Sequence, residues 1–347
     1  MQLIKPGINI DFIGKRKIAI SISIAFIIIS FISLALHKGP RYGIDFVGGT
    51  LIQLKFHSPV KIDNIKSALM SVDISKATVQ EFGDKSENEY LINTESLILT
   101  NQQFQQALKS SLKAKTNSDA EIRRVEKVGP QVGSELREKA LLAIFYAVLF
   151  ISIYISGRFE LKWGLCGAMG AILIASVYFL YLLKVPLTAL IIIALIITIV
   201  FFGYFELKFA MGALLSLIHD VIMIVGCFSI LNKEIDLPII AAILTIAGYS
   251  LNDTIIVFDR IRENLKKYSK EPLEIILNKS VNETLSRTVL TSLTALAVVL
   301  SLFFLGGGII HDFSFALIIG IVVGTYSSVY IASPILLAFH NTGKKRK

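Results

Sequence analysis

Residues 237–258 read Leu237-Pro-Ile-Ile-Ala-Ala-Ile-Leu-Thr-Ile-Ala-Gly-Tyr-Ser-Leu-Asn-Asp-Thr-Ile-Ile-Val-Phe258 and end against Asp259-Arg260. Apart from Asn252 and Asp253 this is one apolar run, and a helix needs about 20 such residues to cross about 30 Å of hydrocarbon. Seven further runs have the same character: 18–36, 139–156, 165–182, 187–205, 210–231, 285–305 and 313–338. The chain of 347 residues is 54% hydrophobic and only 18% charged, with a mean hydropathy of +0.66. A soluble core of this size cannot bury that much apolar side chain, so the chain is a polytopic α-helical membrane protein, and a soluble enzyme is excluded.

The net charge of +9 raises the question of nucleic acid. The polar block between the first two runs is nearly balanced in acidic and basic residues, and the excess of cations flanks the apolar runs. That placement speaks for membrane orientation and against a nucleic-acid partner. Basic residues gather on the cytoplasmic side. With the N-terminus (1–17) inside, that side receives Lys5, Lys15 to Lys17, the Arg158/Lys162 and Lys208 turns, the loop from Arg260 to Arg287 and the tail 339–347 with Lys344 to Lys347. The short outer loops keep only Lys184 and Lys233. Eight spans then leave both termini cytoplasmic and residues 37–138 outside. The first run, 18–36, exceeds the length of a signal-peptide core and reads as an uncleaved anchor. Cys166 and Cys227 lie inside apolar runs without a CxxC or a nearby His, so they read as packing residues.

The outer block follows the pattern strand (50–56), helix (61–71), strand (77–82), strand (89–93), helix (102–115), strand (121–128). This β-α-β-β-α-β order predicts a ferredoxin-like α+β sandwich. It holds no Ser/His/Asp set and no phosphate loop, so binding or a mechanical role is expected of it. Within the remaining 139–338 bundle, Gly157-Arg-Phe-Glu-Leu-Lys-Trp163 and Gly203-Tyr-Phe-Glu-Leu-Lys-Phe209 agree at five of seven positions. The agreement points to a duplicated helix pair, with chance similarity in low-complexity sequence as the alternative.

Ionisable groups at membrane depth are costly unless paired, and they mark function. Asn252 and Asp253 interrupt their span about a turn and a half before its end. Arg287 sits in Ser286-Arg-Thr288, just inside the next span. Desolvation favours a neutral carboxyl group and a nearby guanidinium favours the ionised one. An Asp253 that alternates between an Arg287-paired and an unpaired state would therefore release and bind a proton, against the alternatives of a static ion pair or a snorkelling Arg. His219-Asp220 lie about 14 Å into their span. Adjacent helical residues point about 100° apart, so the expectation is that the two form no hydrogen-bonded dyad and that one faces the interior as a relay or packing contact. A repeat lag of 46 would place Leu173-Ile174 opposite them. Gly164, Gly167 and Gly170, and the Gly320/Gly324 pair, offer close-packing surfaces, and Gly306 to Gly308 a turn.

These residues resemble the SecD/SecF family of protein-export membrane proteins. The resemblance is carried by Gly43-Ile-Asp45-Phe-Val-Gly48-Gly49-Thr50, Val128-Gly-Pro-Gln-Val-Gly133, His219-Asp-Val221, Gly248-Tyr-Ser-Leu-Asn-Asp-Thr254 with Asp259-Arg-Ile-Arg-Glu-Asn264, and Ser286-Arg-Thr288. Together they span nearly the whole chain in order. It implies an RND-like six-span bundle, a small extracytoplasmic domain, the bacterial inner membrane, and a SecD partner at the SecYEG channel. YajC is a further candidate partner and an exported unfolded polypeptide the substrate. Protons are the coupling ion; no cofactor or metal is implied. In the family the residues at the Asp253 and Arg287 positions conduct protons, with Asn252, His219 and Asp220 as candidate relay members here. Gly43, Asp45, Gly48, Gly49 and Gly248 belong to the family motifs as structural residues. The count of eight spans departs from the family, and 157–204 reads as an inserted helix pair. The alternatives are a proton-driven exporter of small molecules or lipids, disfavoured by the single outer domain; an intramembrane hydrolase built on His219 and Asp220, disfavoured by the 100° offset and the lack of a Ser or Cys partner; and an assembly scaffold without transport.

Overall fold

The computed structural model describes residues 8–74, 77–82, 87–94 and 102–345. Lys5 and the side chains of the basic tail from Lys344 lie outside that description. Among the described residues, eight helices are long and apolar enough to cross a membrane. The first is α1 (Arg16–Leu36), after which a single-turn helix α2 (Ile44–Val47) leads into the α+β block. That block runs β1 (Gly49–Phe56), α3 (Ile62–Met70), β2 (Ala77–Phe82), β3 (Glu89–Thr94), α4 (Gln102–Thr116) and β4 (Ala120–Val128). The spans resume with α5 (Pro130–Glu160), α6 (Trp163–Leu182), α7 (Leu187–Tyr204), α8 (Lys208–Ile230), α9 (Leu237–Lys267) and α10 (Leu273–Leu305). The last is built from α11 (Gly307–Ser327), a π-helical turn (Ser328–Ala332) and α12 (Ser333–Lys345). Each expected span is present; α5, α9 and α10 run a turn or more beyond the apolar stretch at an end, because their polar extensions stay helical outside it.

The four strands form one antiparallel sheet in the order β2-β3-β1-β4, the arrangement expected of the ferredoxin-like sandwich. Its register places Ile52 between Ile92 of β3 and Val125 of β4, and a bulge falls between Gln53 and Leu54. Side chains alternate along a strand. Ile52, Leu54 and Phe56 therefore share one face, where they pack with Ile65 and Leu69 of α3 and Leu108 and Leu112 of α4.

Inside the bundle, α8 is the most enclosed helix. Its inner face meets α1 through a ladder of hydroxyls: Ser33 Oγ lies 2.8 Å from Ser229 Oγ, and Ser30 fills the space beside Gly226. On the other side α9 and α11 approach closely where Gly320 lies on Ile246 and Gly324 on Ser250. Close helix approach in a membrane relies on such small residues. A Cβ on Gly324 would come within 2.9 Å of the Ser250 side chain. Gly324→Val is expected to push α11 off α9 and lower stability by about 1–3 kcal/mol, read as a lower unfolding temperature in detergent.

Helices α6 and α7 lie at the edge. They pack on α5 and α8 and leave Ile172, Tyr178, Ile193 and Ile196 exposed. The two Phe-Glu-Leu-Lys turns meet: Phe159 stacks on Phe209 at 5.2 Å, the Phe209 amide donates to Glu160 Oε1 at 2.9 Å, and Lys162 Nζ donates to the Phe205 carbonyl at 3.3 Å.

Candidate functional site

Three polar places are built into this frame. The first surrounds Asp253, which faces the α9, α10 and α11 junction and is 1% exposed. Ser292 Oγ of α10 donates to its Oδ2 at a long 3.5 Å, and Ser292 in turn lies 2.7 Å from Thr325 Oγ1 of α11. The expected partner Arg287 makes no ion pair with Asp253 among the described residues. It is exposed and lines a cavity of about 500 Å³ at the end of the bundle away from the α+β domain. Asn252 lines the same cavity, beside Tyr154 and Arg158 of α5, Asp259 of α9 and Glu283 of α10. Ion pairs close around it: Arg158 to Asp259 at 2.8 Å, and Arg260 to Glu263 at 3.1 Å and to Glu283 at 3.7 Å. Successive residues of a helix diverge by about 100°, so Asn252 looks into the cavity while Asp253 looks into the bundle. Gly248 lies on the open face of α9, with nothing near the place a Cβ would occupy.

The second place corrects an expectation. His219 and Asp220 do form a dyad: His219 Nδ1 lies 3.0 Å from Asp220 Oδ1. The 100° divergence holds for the Cα–Cβ directions, but two long polar side chains can turn back until their tips meet. Moreover His219 Nε2 lies 3.1 Å from Ser23 Oγ of α1, so a serine partner is present after all. The links are those of a Ser-His-Asp set, yet the set is not laid out for hydrolysis. Ser23 is 3% exposed and its oxygen also engages Tyr326 Oη at 3.0 Å, leaving no approach for a carbonyl carbon.

The third place joins the α+β domain to the bundle. The loop between α8 and α9 pairs with the segment ahead of α2: Ile235 N donates to the Arg41 carbonyl at 2.7 Å and Gly43 N to the Ile235 carbonyl at 2.8 Å. Asp45 Oδ2 accepts from Leu237 N at 3.0 Å at the start of α9. Glu234 ties the same loop to Arg41 at 2.9 Å and to Asn93 of β3 at 2.5 Å. Gly48, at φ +82°, sits flush on α5, where a Cβ would come within 2.7 Å of Pro130; Gly49 then opens β1.

Burial pushes the Asp236 carboxyl up to about 6, and the nearby Asp45 and Asp312 add to the effect. Burial likewise raises Glu234, with Arg41 pulling the other way. A carboxyl group raised in the folded state stabilises it below the unfolded value, and that contribution is lost as pH climbs through the raised one. The joint is therefore expected to be firmer at about pH 5 than at about pH 7.5. Amide exchange at Gly43 and Ile235 checks this, with protection about tenfold higher at the acid end.

The sequence reading missed Ser23, Glu234, Ser292 and the run Thr325-Tyr-Ser-Ser328. That run is visible as a polar interruption of the last span, but its partners lie on four other helices.

Comparison with known proteins agrees with this frame. The family model described as protein export membrane protein SecD/SecF, C-terminal, matches residues 107–199 and 181–342, and the SecD/SecF GG motif matches 34–60. The protein translocase subunit SecF of Magnetococcus marinus is 41% identical over 351 residues, covering 100% of this chain and 97% of that one. The corresponding subunit of Calditerrivibrio nitroreducens is 40% identical, covering 99% of each. Among solved structures, SecDF of Thermus thermophilus superposes with a TM-score of 0.72 at 29% identity, covering 98% of this chain. SecDF in its super-membrane-facing form gives 0.62 at 30%. This chain spans 40% of the length of either SecDF chain.

Fold and buried polar sites thus define a multi-pass, RND-related membrane protein with one small α+β domain. The chain belongs to the SecD/SecF family, as a protein translocase subunit of the SecF type. Its role is transport.

Proposed function

We propose that this chain is one half of a complex with a SecD-type partner in the bacterial inner membrane. The complex uses inward proton movement to complete the passage of unfolded polypeptides through SecYEG. In this reading both termini are cytoplasmic, the 37–138 domain is periplasmic, YajC is an accessory, and the coupling ion is the proton. The observation that carries it is Asp253: a carboxyl group 1% exposed at membrane depth, with a long hydrogen bond from Ser292 and no ion pair among the described residues. A static ion pair would look different.

Arg287 waits in the polar cavity that Asn252 faces, about 100° around α9 from Asp253. If a helix movement brought its guanidinium to Asp253, the ionised form would be favoured and a proton released; withdrawal would favour uptake. Asn252 lines the water-accessible approach. The SecDF structures are longer than this chain by more than half their length, which supports a partner bundle as the missing part. The doubly matched stretch 181–199 and the edge position of α6 and α7 support the reading of 157–204 as an inserted helix pair. The test is gradient-driven export in vesicles holding SecYEG and SecD, with this chain or its Asp253→Asn variant.

A further inference from the structure

A chain of hydrogen bonds crosses the bundle from α9 and α11 through α8 to α1. His219 and Asp220 are 4% and 1% exposed. Asp220 Oδ1 lies 3.0 Å from His219 Nδ1, while its Oδ2 accepts from Ser250 Oγ at 2.6 Å and Ser327 Oγ at 3.0 Å. Beyond the ring, His219 Nε2 lies 3.1 Å from Ser23 Oγ, Ser23 Oγ lies 3.0 Å from Tyr326 Oη, and Tyr326 donates to the Ala19 carbonyl at 2.6 Å. The Tyr326 ring also stacks against His219, at 6.1 Å and 27°.

Four links run from Asp220 to the Ala19 carbonyl, and each needs one hydrogen. The carbonyl only accepts, so the Tyr326 hydrogen is committed to it. Ser23 must then give its single hydrogen to Tyr326 Oη, and its link to the ring requires a hydrogen on Nε2. At the other end the Asp220 carboxyl group already accepts from Ser250 and Ser327 on Oδ2, and its Oδ1 shares a hydrogen with Nδ1. The fully bonded chain therefore holds a hydrogen on Nε2 and another between Nδ1 and Oδ1, one proton more than an ionised Asp220 facing a neutral ring whose free nitrogen is Nε2. With a ring protonated on Nδ1 alone, Ser23 has one hydrogen for two acceptors, and one buried link goes unmade at a cost.

We infer that the His219–Asp220 pair is a second proton-binding site in the membrane, and that its occupancy sets the contact between α1 and α11. The proton adds to Nε2 of His219; no other bond to hydrogen changes owner. The inference rests on the proton-coupled reading above and deepens it. Its consequence reaches Asp253 through α11, where Tyr326 neighbours both Thr325, which holds Ser292 beside Asp253, and Ser327, which holds Asp220. The π-helical turn begins at Ser328, and such turns recur at functional sites. Of the titratable groups on the helices packed against the pair, α11 contributes Tyr326, stacked on the ring, and α9 carries Asp253 one turn beyond Ser250, turned toward α10. The membrane stretch of α1 has no charged residue, and α8 has none beyond the pair itself until its Lys208 end.

The test follows His219 by ¹⁵N nuclear magnetic resonance in the full chain held in lipid nanodiscs. The chain has five His, and the signal is assigned by its loss in His219→Asn. The expected result is a ring whose Nε2 carries a hydrogen at the acid end and loses it as pH rises. Ser23→Ala and Tyr326→Phe should each weaken proton binding about tenfold. Tyr326→Phe keeps the ring packing, so the test survives if Ser23→Ala fails to fold. A neutral ring with constant shifts between about pH 5 and pH 8, or midpoints unmoved in both variants, overturns the proposal. Because the titration needs no export, a working site in a chain whose Asp253→Asn variant still exports normally would reject the functional reading and leave this one standing.

Discussion

Asp253→Asn should remove the gradient-dependent part of export and leave the rest. In vesicles with SecYEG, SecD and matched amounts of the chain, the expected variant rate equals the rate of the native complex after the gradient is collapsed. An amide fits the same space and can still accept from Ser292, so packing at the α9, α10 and α11 junction is kept. What it loses is the ability to gain and release a proton. Co-purification with SecD should be unchanged, because Asp253 is 1% exposed and offers nothing to a partner surface. Export that still responds to the gradient in the variant would move the assignment to a scaffold.

How far the sequence foretold this site depends on which physical signal each feature leaves. The spans were legible because length and hydropathy alone decide them. The βαββαβ block was legible because strand alternation and helix periodicity differ. Asp253 stood out as a charge where the membrane tolerates few. Its relation to Arg287 was less legible: order along the chain gives depth in the membrane but not direction around a helix, and the structure turns Arg287 toward the cavity. The His219–Asp220 contact failed for a related reason, since the periodicity rule describes where a side chain leaves the backbone and not where its tip arrives. Ser23 and the Thr325 to Ser328 run went unread because a hydroxyl in a span can always satisfy itself on the carbonyl one turn back. Only the packing of α1, α8, α9, α10 and α11 shows that these hydroxyls serve other helices as well.

Gly133→Leu should uncouple the α+β domain from the bundle while leaving both folded. The first turn of α5 carries Gly133 against α2, where a Cβ would come within 2.9 Å of the Gly48 amide and 3.1 Å of the Phe46 carbonyl group. The near atoms are all backbone, so no side chain can swing away to make room. Gly48 cannot retreat either, because its φ of +82° and its contact with Pro130 fix it on the same helix. Overpacking of this kind costs about 1–3 kcal/mol, and the strain falls on the weakest neighbour, which is the short pairing of Tyr42 with Ile235. The sheet core around Ile52 and Leu108 does not touch the site, whereas Phe46 packs with Phe228 of α8, with Ile235 and with Ile239 of α9, so the displacement of α2 is felt at the α8 to α9 loop. Amide protection should therefore drop at Gly43 and Ile235 while that of β1 and β3 stays. If movement of the outer domain is driven from the bundle, this joint is what transmits it, and export should fall as far as in Asp253→Asn even though proton binding is intact. Unchanged protection at the joint would show that α2 has another way to seat. Loosened protection with full export would show that the domain does its work without being held.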